Sequence, residues 1–191
     1  MLDPMARLAE VMARAAHEAP FDPIAVSLAT STPDGRPSCR IVLLHEADER
    51  GLVFHTNYGG RKAQEIEGNP HAALCAYWPW IDQQVRVEGT VARVSSAESD
   101  RYFAVRPRGS QIGAWASLQS QALDSRETLL TRVREYDERF AGQPVPRPDT
   151  WGGYRLRPLR IEFWTAGEFR LHDREVYERV GDAWTLQRLY P

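Results

Sequence analysis

The chain has 191 residues, 42% of them hydrophobic and 26% charged, and its 24 lysines and arginines against 26 aspartates and glutamates give a formal net charge of -2. This length and composition predict one globular domain with a single sizeable core. The balanced charge excludes a global positive field that would draw the chain to nucleic acid or to an anionic membrane, so any basic cluster must serve a local purpose.

The two cysteines indicate a reducing environment. Cys39 and Cys75 lie in apolar, strand-like runs and lack the spacing of metal ligands. The first residues lack the apolar core of a signal peptide, and no apolar run approaches membrane-spanning length. We therefore expect a cytoplasmic protein with no metal site and no membrane partner.

Taken in chain order, the periodicity predicts a helix first and then a β-rich body. The first apolar residues recur at helical spacing, whereas later runs are β-branched and separated by turn residues. The predicted helices cover residues 4–16, 61–67, 97–105 and 125–140, and residues 143–150 form a proline-rich connection. The predicted strands cover residues 24–32, 38–45, 51–56, 72–78, 84–94, 154–164, 168–171, 175–179 and 184–189.

Many short strands with interspersed helices favour a mainly β (α+β) fold over a doubly wound parallel sheet. We predict a closed or nearly closed antiparallel barrel with peripheral helices, in one domain that spans residues 1–191. Its expected parts are an N-terminal helix (1–19), a barrel core (24–95), a helical segment (96–140) and C-terminal strands (153–191).

Several familiar motifs are absent from the sequence. There is no Gly-x-Gly-x-x-Gly after a strand, no Walker loop, no His-Glu-x-x-His and no Gly-x-Ser-x-Gly. Common nucleotide-binding and hydrolase scaffolds are therefore disfavoured, and what remains is a set of anion-binding groups at turns and strand ends.

The segment from Arg106 to Trp115 is the most informative of these. It places two guanidiniums, a hydroxyl and a carboxamide around Gly109, which is a suitable set for gripping a small anion. The alternative is an ordinary polar turn followed by a short helix.

Two more basic segments point the same way. Arg40 lies in an apolar strand that we expect to be covered on both faces, so its guanidinium needs either a protein carboxylate or a bound phosphate. Arg61 and Lys62 lie at the start of a predicted helix, where cations are disfavoured unless they share an anion. Lys62 is the only lysine, and its alternative role is that of a solvated surface residue.

The stretch from Arg170 to Arg174 is predicted to be extended. Alternation would then put Arg170, His172 and Arg174 on one face, which could hold an anionic or electron-rich ring. The alternative is a charged outer face paired with Glu168 and Glu175.

Taken together, these segments resemble the pyridoxine (pyridoxamine) 5′-phosphate oxidase family over nearly the whole chain. The matching segments are 40–44, 56–62, 84–89, 106–115, 119–120, 151–154, 161–164 and 170–174. The resemblance implies an FMN-binding split barrel that forms a homodimer, with FMN in a cleft at the subunit interface.

The resemblance also implies which residues bind FMN. One subunit would supply Arg40, Ile41, Val42, Leu43, His55, Thr56, Arg61 and Lys62, with Arg40, Arg61 and Lys62 near the phosphate. The other subunit would supply Gln84, Gln119, Ser120, Trp164 and Arg174. His55 stands where relatives commonly carry tyrosine.

On the substrate side, the resemblance implies that Tyr102, Arg106 and Ser110 hold the substrate phosphate, and that Arg170 and His172 cover the pyridine ring as catalytic residues. FMN would take a hydride from the carbon that bears the amine or alcohol, and O2 would then reoxidise the flavin to give hydrogen peroxide. The product would be pyridoxal 5′-phosphate, and Arg170 would orient the substrate against the flavin.

Two departures from the family pattern qualify these expectations. The family's strand motif continues with a lysine that holds the substrate phosphate, and here that position is His45. A protonated His45 could partly replace the lysine, and phosphate affinity would then weaken as pH rises through its pKa. The chain also begins close to the first helix, so we expect no N-terminal segment over the substrate.

Two alternatives therefore remain. The chain could be an FMN oxidase of the same fold with another substrate, like the phenazine-pathway relatives; His45 favours this, whereas Tyr102, Arg106 and Ser110 oppose it. It could also be a non-catalytic protein that binds FMN or pyridoxal phosphate, which would hold its ligand without turnover.

Overall fold

The computed structural model describes residues 3–191, which form five α-helices and eight strands. The helices are α1 (Pro4–His17), α2 (Arg61–Gly68), α3 (Ser96–Ala104), α4 (Arg108–Ala116) and α5 (Arg126–Arg139). The strands are β1 (Ala25–Ser31), β2 (Pro37–Asp48), β3 (Gly51–Asn57), β4 (His71–Trp78), β5 (Gln83–Arg93), β6 (Trp151–Thr165), β7 (Asp173–Val180) and β8 (Ala183–Leu189).

Six of the strands close into an antiparallel barrel. Their order is β3-β2-β1-β4-β5-β6, and β6 also pairs with β3 to complete the ring. The long strand β6 makes this possible, because its first part pairs with β3 and its last part pairs with β7. β7 and β8 extend the sheet beyond the barrel. The predicted mainly β barrel with peripheral helices is therefore confirmed.

The barrel core follows from the alternation of the strands. β4, for example, buries every second residue from Ala72 to Trp78. Leu28, Phe54 and Leu156 are fully buried in the same core. Gly51 turns the chain between β2 and β3 with a φ of +133°, and a Cβ there would lie 2.1 Å from the carbonyl oxygen of Leu156. Only glycine fits this close approach.

The helices pack around this barrel in two places. α1 begins at the Asp3 cap, with Pro4 in its first turn, and buries Met5 and Leu8 against the barrel. A second apolar cluster joins α3, α4 and α5 to the start of β6 through Phe103, Ile112, Phe140, Val145 and Trp151. None of the helices within residues 3–191 is both long and apolar enough to cross a membrane.

The structure corrects two predictions of local structure. Residues 168–171 are not a strand but a tight 3-10 turn, in which Phe169 and Arg170 have φ values of 55° and 64°. The strand that carries Arg40 is not covered on both faces in the protomer, because Ile41 is 62% exposed and Leu43 is 41% exposed.

Candidate active site

A cavity of about 630 Å³ opens among the residues that carry most of the predicted site. It lies where β2 and β3 meet the beginning of α2, the end of α3 and the first turns of α4. It brings together eleven of the residues predicted from the sequence, here called the cavity group: Ile41, Val42, Leu43, His45, His55, Thr56, Lys62, Tyr102, Arg106, Ser110 and Gln119. Its size is typical of small-molecule sites, which range over about 300–1,000 Å³.

Lys62 supplies a positive charge at one end of the cavity. Its ammonium donates to Thr56 Oγ1 at 3.1 Å and to Gln119 Oε1 at 2.9 Å. Burial and the nearby charge of Arg40 lower its pKa below the ordinary lysine value. Lys62 is thus a half-buried, oriented cation rather than a solvated surface lysine.

The loop that carries Gln119 closes against the start of α2 in the same protomer. Ser120 Oγ accepts from the backbone N–H of Arg61 at 3.1 Å. A Cβ at Gly60 would lie 2.4 Å from Gln119 Oε1, so the two segments touch. Gln119 and Ser120 therefore lie beside Lys62 and Arg61 of their own protomer, whereas the resemblance implied that the other subunit supplies them.

The protein partner of Arg40 is a carboxylate, one of the two alternatives that the sequence left open. Its guanidinium lies 3.3 Å from Glu65 Oε2, and Arg61 Nε lies 2.8 Å from Glu65 Oε1. Neither guanidinium lines the cavity, although both arginines flank Lys62.

A stack of rings forms one wall of the cavity. The ring of His55 lies nearly parallel to those of Tyr102, at 4.1 Å between centroids, and Trp151, at 5.2 Å, and these two rings are 6.1 Å from each other. The Tyr102 hydroxyl lies 2.6 Å from His45 Nε2. Burial, followed by the charges of His45 and Arg106, lowers the pKa of His55 to about 4. Burial and Arg106 also lower the pKa of His45, so both imidazoles are neutral at neutral pH.

Arg106 supplies the second positive charge of the cavity. Its guanidinium lies 4.5 Å from the Trp151 ring centroid, and its Nη1 is buried with no hydrogen-bond partner among the described residues. An arginine nitrogen left in this state calls for an acceptor, which an anionic ligand would provide. Ser110, in the first turn of α4, lines the same cavity.

The rest of the predicted anion grip points elsewhere. Arg108 pairs with Asp137 at 3.0 Å, and Gln111 donates to the carbonyl of Phe103 at 2.9 Å. Of the four polar residues, only Arg106 and Ser110 reach the cavity and can bind an anion there. Arg108 and Gln111 instead make local contacts at the start of a helix.

The other predicted residues form a separate set, here called the strand group, on β5, β6, β7 and the turn before β7: Gln84, Trp164, Arg170, His172 and Arg174. None of the five lines the cavity. Gln84 pairs with Trp164, and Trp164 with Arg174, across the sheet. The tight turn at residues 168–170 overturns the predicted alternation, so no regular strand places Arg170, His172 and Arg174 on one face.

Local contacts fix most of the strand group. The His172 ring packs on Trp164 with 4.5 Å between centroids, and its Nδ1 accepts from the N–H of Gly167 at 3.2 Å. Arg174 Nε pairs with the buried carboxylate of Glu162 at 2.8 Å. Glu162, rather than the predicted Glu168 or Glu175, is thus the partner of Arg174. Arg170 is exposed at the tip of the turn.

Sequence reasoning missed part of the cavity. Seven lining residues were not predicted as site residues: Asn57, Val105, Pro107, Gly113, Ala114, Ser117 and Trp151. Most are small or apolar, and such residues carry no chemical signal in a sequence. Glu65 was also missed, although its position four residues after Arg61 is the spacing of a helical ion pair.

Comparison with known proteins assigns both parts of the chain. A family profile described as "Pyridoxamine 5'-phosphate oxidase" matches residues 12–140, and one described as "Pyridoxine 5'-phosphate oxidase C-terminal dimerisation region" matches residues 151–191. The pyridoxine/pyridoxamine 5'-phosphate oxidase of Rubrobacter xylanophilus is 57% identical over 189 residues, which cover 99% of this chain and 87% of that protein. That of Myxococcus xanthus strain DK1622 is 56% identical, with coverage of 99% and 92%.

Solved structures give the same fold. PhzG from Burkholderia lata, in complex with tetrahydrophenazine-1-carboxylic acid, matches with a TM-score of 0.94 and 34% identity over 99% of this chain and 93% of that chain. A pyridoxamine 5'-phosphate oxidase-related, FMN-binding protein from Nostoc punctiforme matches with a TM-score of 0.79 and 18% identity over the full length of both chains.

Proposed function

The chain belongs to the pyridoxamine 5'-phosphate oxidase family, and from this membership we propose that it oxidises pyridoxine 5'-phosphate or pyridoxamine 5'-phosphate to pyridoxal 5'-phosphate, with FMN as cofactor and O2 as acceptor. The observation that carries the proposal is a single cavity with two separate cations, Lys62 and Arg106. A flavin mononucleotide and a phosphorylated pyridine each bring one phosphate, so the two charged ends match the two ligands.

The Lys62 end suits the cofactor. Lys62, with Arg40 and Arg61 beside it, provides positive charge for a phosphate, and the exposed faces of Ile41 and Leu43 offer an apolar surface for a planar ring. When bound, FMN supplies the redox chemistry by taking a hydride from the substrate and passing electrons to O2. The protein's own task is to place and orient the two ligands.

The Arg106 end suits the substrate phosphate. The buried, unpartnered Nη1 of Arg106 and the hydroxyl of Ser110 can both donate to it. The Tyr102 hydroxyl, held by His45, is a third donor close by. The ring stack behind them keeps water away from this end, which strengthens each of these hydrogen bonds.

We propose that the strand group completes the site from the second subunit of a homodimer. Four of its five residues lie within the C-terminal segment 151–191, which matches a dimerisation region. In a two-fold dimer each cavity group would face the partner's strand group, and Arg170 would orient the substrate ring. The two cysteines are unpaired. A cytoplasmic location, which we also propose, agrees with this.

The reaction can be tested by mixing the FMN-loaded protein anaerobically with pyridoxamine 5'-phosphate. We expect the visible absorbance of the oxidised flavin to bleach rapidly and to return on admitting O2, with pyridoxal 5'-phosphate formed. Unphosphorylated pyridoxamine at the same concentration is the control and should bleach the flavin far more slowly. A flavin that stays yellow with the phosphorylated substrate would contradict the proposal.

A second candidate has a specific observation in its favour. PhzG, whose solved structure holds tetrahydrophenazine-1-carboxylic acid, has the same fold, and His45 lacks the charge expected for a phosphate grip. This candidate predicts bleaching by a reduced polycyclic acid and no bleaching by the phosphorylated pyridines. The higher identity to the pyridoxine/pyridoxamine 5'-phosphate oxidases, 57% and 56% against 34% for PhzG, favours the first candidate.

A further inference from the structure

A buried carboxylate lies behind the Lys62 end of the cavity. Glu65, on α2, is only 3% exposed. A buried charge is strongly unfavourable unless it is paired and hydrogen-bonded, so the surroundings of Glu65 have to compensate for it. None of the roles proposed above uses this residue.

The two oxygens of Glu65 hold different arginines. Oε2 faces the sheet, where it accepts from Thr30 and Ser38 at 2.5 Å each and lies 3.3 Å from Arg40 Nη2. Oε1 faces the start of α2 and accepts from Arg61 Nε at 2.8 Å. One carboxylate thus ties a guanidinium on β2 to a guanidinium on α2.

The hydroxyls make the Arg40 half of this network rigid. Arg40 donates to Thr30 Oγ1 at 2.5 Å and to Ser38 Oγ, and both hydroxyls in turn donate hydrogen bonds to Glu65. Burial alone would raise the pKa of Glu65, but the hydrogen bonds from Ser38, Thr30 and Arg61 outweigh it and lower the pKa to about 2. The carboxylate is therefore charged throughout the physiological range.

On the basis of the proposed function, we propose that Glu65 is a positioning residue. It holds Arg40 and Arg61 on either side of Lys62, where they can bind the cofactor phosphate. Arg61 is 63% exposed, and a side chain so exposed would otherwise sample many rotamers. The bond to Glu65 removes that freedom before the phosphate arrives, so less entropy is lost on binding.

The charges of the cluster support the same assignment. Three cations and one carboxylate leave two net positive charges, and a phosphate monoester carries about two negative charges at neutral pH. Burial and then the nearby charge of Arg40 lower the pKa of Lys62, so Arg40 and Lys62 lie close enough to act on the same anion.

The test compares FMN with riboflavin, which has the same ring but no phosphate. Flavin fluorescence quenching on titration of the full-length, flavin-free protein gives both dissociation constants. We expect Glu65→Gln to weaken FMN binding by about tenfold, the value of one hydrogen bond to a charged group. Riboflavin binding should change by less than about twofold, because no part of the ring depends on the two arginines.

The matched control is Glu67→Gln on the same helix. Glu67 pairs with Arg93 at 2.8 Å and accepts from Tyr154, away from the arginines in question. Its substitution should leave the FMN-to-riboflavin preference unchanged. Equal losses for FMN and riboflavin in Glu65→Gln, no loss, or tighter FMN binding would each overturn the inference.

Ser38→Ala provides a second, milder variant if Glu65→Gln fails to fold. It removes one hydroxyl between Arg40 and Glu65, so the preference for FMN over riboflavin should fall, but by a smaller factor than in Glu65→Gln. An unchanged preference would overturn the inference. A wild-type protein that binds riboflavin as tightly as FMN would instead count against the proposed cofactor, so the two failures are distinguishable.

Discussion

The replacement of the family lysine by His45 leads to a quantitative prediction. The sequence alone leaves room for a protonated His45 that partly replaces the lysine, but the structure keeps this imidazole neutral. Burial comes first among the causes, followed by the charge of Arg106, while the carboxylates of Asp22 and Glu46 act in the opposite direction. The Tyr102 hydroxyl, 2.6 Å away, also engages the ring.

The magnitude follows from the direction of this shift. Because the folded pKa of His45 lies below the ordinary value of about 6.5, less than about one-tenth of the side chains carry a charge at pH 7.5. His45→Lys therefore adds nearly a full positive charge. A hydrogen bond between charged groups contributes about 1.5–3 kcal/mol, and repulsion from Arg106 reduces it, so we expect phosphate affinity to rise by about tenfold.

The assay is the dissociation constant of pyridoxal 5'-phosphate at pH 7.5, compared with that of unphosphorylated pyridoxal. His45→Lys should tighten only the phosphorylated ligand, and the neutral control His45→Gln should leave both within about twofold of wild type. In the wild type, any strengthening from His45 protonation should appear only below about pH 6.5. Unchanged affinity in His45→Lys, or an equal gain for both ligands, would refute the reasoning.

Three further predictions concern single residues. The pKa of His55 is depressed to about 4, so the free energy of unfolding should fall by up to about 3 kcal/mol as pH drops from 6.5 towards 4. Urea titrations should show that the free energy of unfolding of His55→Phe depends less steeply on pH. The same pH dependence in the variant and the wild type would argue against a buried neutral imidazole. Gly60→Ala would place a Cβ 2.4 Å from Gln119 Oε1, so its affinity for FMN should fall. Gly109→Ala, whose Cβ would have nothing within 4 Å, should bind FMN as tightly as the wild type. Equal FMN affinities of the two variants would contradict the placement of Gln119. Arg106→Ala should raise the KM for pyridoxine 5'-phosphate by about a hundredfold. Arg108→Ala, which removes contacts with Asp137, Phe140 and Gln143 outside the cavity, should not. Similar KM values for the two variants would refute the assignment.

The sequence predicts the barrel because alternation along strands such as β4 is visible without any tertiary information. It does not predict which polar groups of the segment 106–115 share a site. Successive residues of a helix point about 100° apart, so Ser110 on α4 faces the cavity while Arg108, two residues earlier, faces α5, and Arg106 reaches the cavity from the bend before the helix.

Two other features were beyond sequence reasoning for different physical reasons. The turn at Phe169 and Arg170 has positive φ values at residues that do not signal a left-handed conformation. The bond between Glu65 and Arg40 joins residues 25 positions apart, and only the packing of α2 on the sheet brings them together. The helical pair of Glu65 and Arg61 alone gave no hint of that connection.

The central claim is that one site combines the cavity group of one protomer with the strand group of the other. Arg106→Ala and Arg170→Ala disable one group each, so at a substrate concentration near the wild-type KM each homodimer should be nearly inactive. When the two variants are unfolded and refolded together, half of the dimers should be mixed, each with one intact site, and roughly a quarter of the wild-type activity should return. Activity no higher than that of the separate variants would contradict the shared site.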